Sequence, residues 1–219
     1  YKNVKPFIDL MFVNRLAFMI STAKYLGFFQ FMYSKLIETM QRFDSIYQLK
    51  DFKVRTIHAD GQFRHCVVSM QKAPHSIKVV ICPKESHVEG AERTNRLLKE
   101  RIRSVKARLP YNKYPKRFLM EMVYLIVQMI NAIPRKVAMS HGRMSIREIV
   151  TGKKLIIPPV AVGDFVHAVP GASSSADYNS TDKLRSFEAL YLCLREGRGH
   201  SVFNLTTKQV NCLLYTSPS

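Results

Sequence analysis

In the stretch Phe7-Ile8-Asp9-Leu10-Met11-Phe12-Val13, a single charged residue interrupts an otherwise apolar run. Aromatic and branched apolar residues favour extended structure, so this run predicts a buried β-strand. Burying a carboxylate without a partner is energetically costly. Asp9 therefore indicates a metal ion, a cationic partner or a catalytic role at this point of the fold.

Two more carboxylates occupy comparable positions further along the chain. Asp60 ends a strand-like segment, residues 54–60, and Glu92 opens a strongly basic helical segment. Three acids on separate elements of a basic protein predict divalent-cation chemistry on a nucleic acid. Each acid also has a simpler interpretation: an ion pair for Asp9, a turn residue before Gly61 for Asp60, and a helix-dipole partner for Glu92.

Composition bounds the class of protein. A length of 219 residues fits one medium domain with a small appendage, and 47% hydrophobic residues argue against wholesale disorder. The formal net charge of +18 points to a polyanionic partner, most often nucleic acid. A basic surface that serves solubility, or a ribosomal or membrane-surface role, is the alternative.

Neither the cysteines nor an apolar segment suggests a different class. The four cysteines and seven histidines lack the spacing of a zinc site, so we expect the reduced thiols of an intracellular protein. Residues 118–130 form the most apolar stretch, but it is shorter than the ~20 residues of a membrane span and contains Glu121 and Gln128. We predict a buried helix there and no membrane partner.

The order of predicted elements is strand-rich, then helical, then strand-rich again. Strands are expected at residues 7–13, 16–21, 28–32, 52–60 and 77–81, with a helix over 34–49 between the third and fourth. Helices follow at 92–109, at 118–130 and after Ser145, where Glu148 completes a capping box. Beyond Pro158-Pro159, β-like segments recur at 160–169, 187–194 and 201–205.

The helix that begins at Glu92 has two distinct faces. At ~100° per residue, Ala91, Leu98 and Ile102 lie on an apolar stripe with Val105 and Leu109. A second stripe carries Glu92, Arg96, Lys99 and Arg103. The second stripe predicts a polyanion-binding surface, or else an ordinary solvated face.

Three motifs give the chain a family resemblance. Residues 8–13 resemble the first strand of the family's core, which carries an Asp at the position of Asp9. Residues 58–63, His-Ala-Asp-Gly-Gln-Phe, resemble a shortened form of the motif around the family's second catalytic Asp. Residues 90–96, Gly-Ala-Glu-Arg-Thr-Asn-Arg, resemble the Gly-x-Ala-Glu-Arg-x-Asn-Arg motif of copia-type integrases and are the most specific match. Over residues 4–210 the chain thus resembles a retroelement integrase of the retroviral and copia-type retrotransposon kind.

The resemblance implies a fold and a domain order. The expected fold is α/β, with an RNase H-like mixed five-stranded sheet flanked by helices and a small β-rich C-terminal module. The expected domains are a catalytic core at 1–140, a short helix and linker at 141–159 and a β-barrel-like module at 160–211. Residues 212–219 follow no structural pattern, and on that ground we expect them to be a non-native tail. The chain starts at Tyr1 without an initiator Met, so we expect it to be a fragment, and the family's upstream zinc module is not part of it.

The resemblance also implies an activity. An integrase trims the ends of its element's DNA with water and joins the new 3′-hydroxyls to target DNA, in the nucleus and as a homo-oligomer. Asp9, Asp60 and Glu92 would be the catalytic residues and would hold two Mg²⁺ or Mn²⁺ ions, with Asp9 bridging both. The nucleic-acid-binding residues would be Arg93, Asn95, Arg96, Lys99 and Arg103.

Three other functions remain open at this point. The chain could be a decayed or co-opted integrase that binds DNA without catalysis. It could be an RNase H-like nuclease that acts on junctions or hybrids with the same carboxylate chemistry. It could also be a basic interaction module, in which case replacing all three acids would affect only stability.

Overall fold

The computed structural model describes residues 2–23, 29–32, 45, 47–48, 52–71, 76–83, 89–134, 144–155, 159–169, 186–195 and 199–213. The chain divides into two compact units, one of Tyr1–Arg103 with Ile126–Leu155 and one of Ser104–Leu125 with Ile156–Ser219. The coarse prediction of a mixed α/β protein with a separate C-terminal β-sheet is confirmed.

The first unit is built on a mixed sheet. Among the described residues its strands run in the order β4-β3-β2-β6-β7, with β2 antiparallel to β3, β3 antiparallel to β4, and β2, β6 and β7 mutually parallel. A separate parallel pair joins β1 to β5. The bounds are β1 Lys2–Val4, β2 Pro6–Val13, β3 Leu16–Ala23, β4 Phe29–Met32, β5 Phe52–Val54, β6 Thr56–Ala59 and β7 Lys78–Ile81.

A tight hairpin sets the register of the central strands. Asn14 and Arg15 both have positive φ, 48° and 65°, and they connect Val13 directly to its partner Leu16. Two consecutive left-handed residues form the turn whose twist matches that of the strands it joins. The polar pair that separates the two apolar runs in the sequence is therefore the turn itself.

Helices follow the strands. They are a 3₁₀ helix at Gly61–Cys66, α1 Val67–Gln71, α2 Glu89–Arg108, α3 Lys116–Ala132 and α4 Ile146–Thr151. Helix α2 begins three residues before Glu92, so the prediction that Glu92 opens it was wrong by nearly one turn. Of the helix predicted over 34–49, most lies outside the described residues, although Ser45, Tyr47 and Gln48 are helical.

The core of the first unit joins the sheet to α4. Ile8, Ile57 and Phe63 are completely buried and belong to one apolar cluster, which Ile146 and Val150 of α4 also enter. The predicted capping box is present, because the Ser145 hydroxyl accepts from the Glu148 backbone N–H and the Glu148 carboxylate accepts from the Ser145 N–H. The hydrogen bonds from Ser145 lower the pKa of Glu148.

The second unit contains an antiparallel sheet in the order β11-β10-β9-β8. The strands are β8 Phe165–Ala168, β9 Phe187–Arg195, β10 Gly199–Asn204 and β11 Val210–Leu213. Phe118 of α3 packs with Leu192 and Phe203 of this sheet. In the part of the chain that the structure describes, no helix is long and apolar enough to cross a membrane.

Candidate active site

Asp9 and Asp60 occupy adjacent strands of the central sheet. Strands β2 and β6 are parallel, with Ile8 paired to Ala59. Asp9 follows Ile8, and Asp60 follows Ala59 at the carboxyl end of β6. The register therefore brings two acids that have fifty residues between them in the sequence to neighbouring places at the sheet.

The backbone at Asp60 leaves its surroundings open. The Gly61 N–H donates to Asp60 Oδ1 at 2.5 Å, so Asp60 is the N-cap of the 3₁₀ helix. A Cβ added at Gly61 would meet nothing within 4 Å. Asp60 is half-buried. The space beside Gly61 is therefore open, and the neighbouring Asp60 keeps part of its surface accessible.

Helix α2 reaches the site through Asn95. The Asn95 Nδ2 donates to Asp9 Oδ2 at 2.5 Å, while the Leu10 N–H donates to Asp9 Oδ1 at 2.7 Å. Glu92 lies three residues before Asn95, and this spacing puts both side chains on the same face of the helix. Glu92 itself is exposed. The first turns of α2 thus bring a third acid towards the two strand carboxylates.

Asp9 lies within the electrostatic influence of the other two acids. Burial contributes most to raising the pKa of Asp9, and the negative charges of Asp60 and Glu92 raise it further. The hydrogen bonds from Leu10 and Asn95 act in the opposite direction. Burial and the charge of Asp60 also raise the pKa of the Cys82 thiol, which lies just after β7. A concentration of negative charge therefore surrounds Asp9.

The donor set fits a divalent cation chemically, but the structure does not preassemble it. Carboxylate oxygens are the ligands that Mg²⁺ prefers. The Asn95 Oδ1, next to Asp9, is buried without a hydrogen-bond partner among the described residues. In that same part of the chain, no three His, Cys, Asp or Glu side chains lie close enough to share one ion.

The remaining predicted site residues lie on α2. Arg93, Arg96, Lys99 and Arg103 are all exposed, and the Arg96 side chain is 84% accessible. Its pairing with Glu100, at 3.6 Å between Arg96 Nε and Glu100 Oε1, joins two exposed groups and contributes little to stability. The apolar stripe faces inward, with Ala91, Leu98 and Ile102 buried. This arrangement leaves the cations available to a polyanion.

Sequence reasoning missed the role that Asn95 has in the structure. Asn95 was predicted to contact nucleic acid, whereas its amide nitrogen bonds to Asp9 across 86 positions of sequence. Its spacing of three from Glu92 was the available signal, because an amide one turn from a catalytic-type acid shares its surroundings. Nothing in the sequence indicated that Cys82 would lie near Asp60.

No protein-family model matches the sequence, and no curated protein is significantly similar to it. The integrase resemblance therefore depends on the three motifs and on the positions of their acids.

Proposed function

We propose that the first unit is an RNase H-like core and that the protein is a metal-dependent polynucleotidyl transferase of the retroelement integrase type. The sheet order and strand directions support this proposal, since three antiparallel strands are followed by two parallel ones. The acids support it too, because they stand on the central strand, after the neighbouring parallel strand, and in the first turns of the following long helix.

One observation carries the proposal most directly. Asp9 is half-buried at the sheet and is acted on by the charges of both Asp60 and Glu92. Like charges that folding brings together destabilise a protein, and such clusters are characteristic of functional sites. A binding site for metal cations explains why the fold keeps this cluster of acids, although the chain has many Lys and Arg residues that could pair with them.

Asp9, Asp60 and Glu92 are the residues that would hold Mg²⁺ or Mn²⁺. Two such ions, when bound, activate an attacking oxygen and neutralise a leaving one in an in-line displacement at phosphorus. Asn95 fixes the orientation of the Asp9 carboxylate by donating to its Oδ2. The burial of Asp9 keeps this carboxylate in surroundings where its charge is strongly felt by a bound ion.

The exposed cationic side chains of α2 bind the phosphates of the substrate. Arg93, Arg96, Lys99 and Arg103 follow Glu92 along the helix, so phosphates that they bind would lie beside the acids. Contacts of this kind are independent of sequence and position the duplex. The substrates are the DNA ends of the element and a target duplex, which requires two bound DNA segments and agrees with a homo-oligomer.

A strand-transfer assay tests the proposal. The full chain is incubated with Mg²⁺, a duplex that carries an element end, and supercoiled plasmid, and nicking and joining are measured. We expect Asp60→Asn to reduce both by about a hundredfold or more, since it removes one ligand of the reacting ions. Glu100→Gln, which removes an exposed acid about two turns further along the same helix than Glu92, should leave the rates unchanged.

The absence of a preassembled ion site favours one alternative. A DNA-binding protein that has lost catalysis would keep the basic helix and the fold but not the close approach of three acids. Wild-type protein that binds DNA with a steep salt dependence, yet neither nicks nor joins it in Mg²⁺ or Mn²⁺, would establish this alternative and contradict the transferase proposal.

A further inference from the structure

The second unit contains a cavity of about 460 Å³ with three cationic side chains in its wall. They are Arg117 from the first turn of α3, Arg195 from the end of β9 and Lys208 from the turn between β10 and β11. The volume is typical of sites that bind small molecules. None of the three acids of the candidate active site belongs to this cavity.

A buried glutamate organises the two arginines. Glu121, whose side chain is only 3% exposed, accepts from Arg117 Nε at 2.9 Å, and Arg195 Nη2 donates to the same oxygen, Oε1. The thiol of Cys193 donates to the other oxygen, Oε2, at 3.3 Å. Two guanidinium groups thus share one carboxylate, so the cavity wall keeps an excess of positive charge even before Lys208 is considered.

The arginines differ in exposure in a way that suits a binding site. The side chain of Arg117 is 52% exposed, whereas that of Arg195 is 27% exposed. Arg195 is also held by a hydrogen bond from its Nε to Ser201 Oγ at 3.0 Å and lies over the ring of Tyr124 at 5.6 Å from the centroid. A guanidinium fixed in this way loses little conformational freedom when it binds an anion.

Hydrogen bonds also fix the turn that carries Lys208. The Asn204 Oδ1 accepts from the backbone N–H groups of Thr206 and Thr207 at 2.8 and 2.9 Å. Lys208, at a left-handed φ of 58°, donates its N–H to the Asn204 carbonyl at 3.0 Å. The backbone therefore presents the lysine from a fixed position.

The rest of the wall combines polar and apolar groups. Ser201 and Gln209 add hydrogen-bonding side chains, and Pro115, Phe203 and Val210 add apolar surface. Pro115 and Arg117 also stand at the start of α3, where the helix dipole favours an anion. Arginine is well suited to phosphate because its planar fork matches two phosphate oxygens. The lining fits an anion that is attached to a less polar body.

We infer that this cavity binds the phosphate group of a nucleotide-sized ligand through Arg117, Arg195 and Lys208. The phosphate can belong to a free nucleotide or to a nucleotide unit within a DNA strand, because both present the same anion. The inference does not depend on catalysis at Asp9, Asp60 and Glu92.

Calorimetric titration of the full chain tests the inference. The probes are dAMP, inorganic phosphate and a single-stranded oligodeoxynucleotide with a 5′-phosphate. We expect dAMP to bind, and Arg117→Gln and Lys208→Gln each to weaken its affinity about fivefold, the effect of one partly exposed charged contact. Lys113→Gln removes the same charge from an exposed residue of this unit that does not line the cavity, and should leave the affinity unchanged.

The outcomes distinguish a free nucleotide from a DNA strand as the source of the phosphate, and they distinguish failure of this inference from failure of the transferase proposal. Tighter binding of the oligonucleotide than of dAMP, with the same loss in both cavity variants, supports a strand as the source, and equal binding supports a free nucleotide. Failure of dAMP and the oligonucleotide to bind, binding of inorganic phosphate alone, or an equal loss in the Lys113 control would overturn the inference. Asp9→Asn should abolish strand transfer and leave dAMP binding intact, so the two proposals can fail separately. Thermal melts confirm that every variant is folded.

Discussion

Replacing Asp9 with asparagine removes a half-buried carboxylate on which the negative charges of Asp60 and Glu92 act. Burial and the charges of Asp60 and Glu92 raise the pKa of Asp9 in the folded protein. The native state therefore holds the Asp9 proton more tightly than the unfolded chain does. Wild-type stability then falls as the pH rises from the ordinary pKa of an aspartate through the higher pKa in the folded state. The asparagine variant lacks this loss.

The magnitude follows from two opposing contributions. Each repulsion between partly exposed charges amounts to about 0.5 kcal/mol after solvent screening, and Asp9 has two of them. The Asn95 bond to a charged carboxylate becomes a bond between neutral amides, which costs about 1 kcal/mol at neutral pH. The Asn95 amide can rotate so that its buried Oδ1 accepts from the new side chain, and this keeps one hydrogen bond.

The assay is urea unfolding of wild type and Asp9→Asn in EDTA, from about pH 4 to about pH 7. The two repulsions, about 1 kcal/mol together, roughly cancel the cost of the weakened hydrogen bond, so the relief of the desolvation of Asp9 decides the result. We expect the free energy of unfolding of the variant to gain about 1 kcal/mol on that of wild type over this range, the scale for partial burial of one polar group. Glu188→Gln, at an exposed position of β9, is the control and should show no such gain. A variant that instead loses stability relative to wild type as the pH rises would mean that Asp9 is a member of an ion pair, and would refute the reasoning.

Three further predictions concern other residues of the two units. Gly163→Ala should lower stability by more than about 1 kcal/mol in a thermal melt, because φ is 88° and a Cβ would clash with Leu109 Cδ2. Gly61→Ala, with open space around it, is the matched control. Asn95→Ala should cost about 1 kcal/mol in urea unfolding, since it breaks the bond to the strand carboxylate, and an unchanged midpoint would contradict that bond. Lys99→Gln should reduce the slope of log K for DNA binding against log salt by about 0.9, the loss of one phosphate contact, and an unchanged slope would mean that this helix face does not touch DNA.

Local patterns in the sequence were sufficient for most of the elements. The apolar runs on either side of Asn14 and Arg15 became β2 and β3, because two polar residues are just enough for a hairpin turn. The capping box at Ser145 and Glu148 fixed the start of α4. The two stripes of α2 became a buried and an exposed face. In each case the determining interactions lie within a few residues of one another.

Contacts between residues far apart in the sequence could not be predicted from local sequence patterns. Strands β1 and β5 have three residues each and pair across about fifty positions, and so short a segment has no periodicity to detect. The bond between Asn95 and Asp9 likewise depends on where α2 packs against the sheet. The start of α2 at Glu89 was missed, because Gly90 has a low helix propensity and the sequence pattern therefore did not indicate a helical first turn. The distances between the three acids depend on the same packing.

Binding of Mn²⁺, followed by paramagnetic broadening of backbone amide resonances, tests the central claim without relying on catalysis. If Asp9, Asp60 and Glu92 form one cation site, the amides of these residues should broaden first and most strongly, and Asp9→Asn should abolish the effect at all three. Broadening that is absent, or that is centred on acids elsewhere in the chain, would contradict the account.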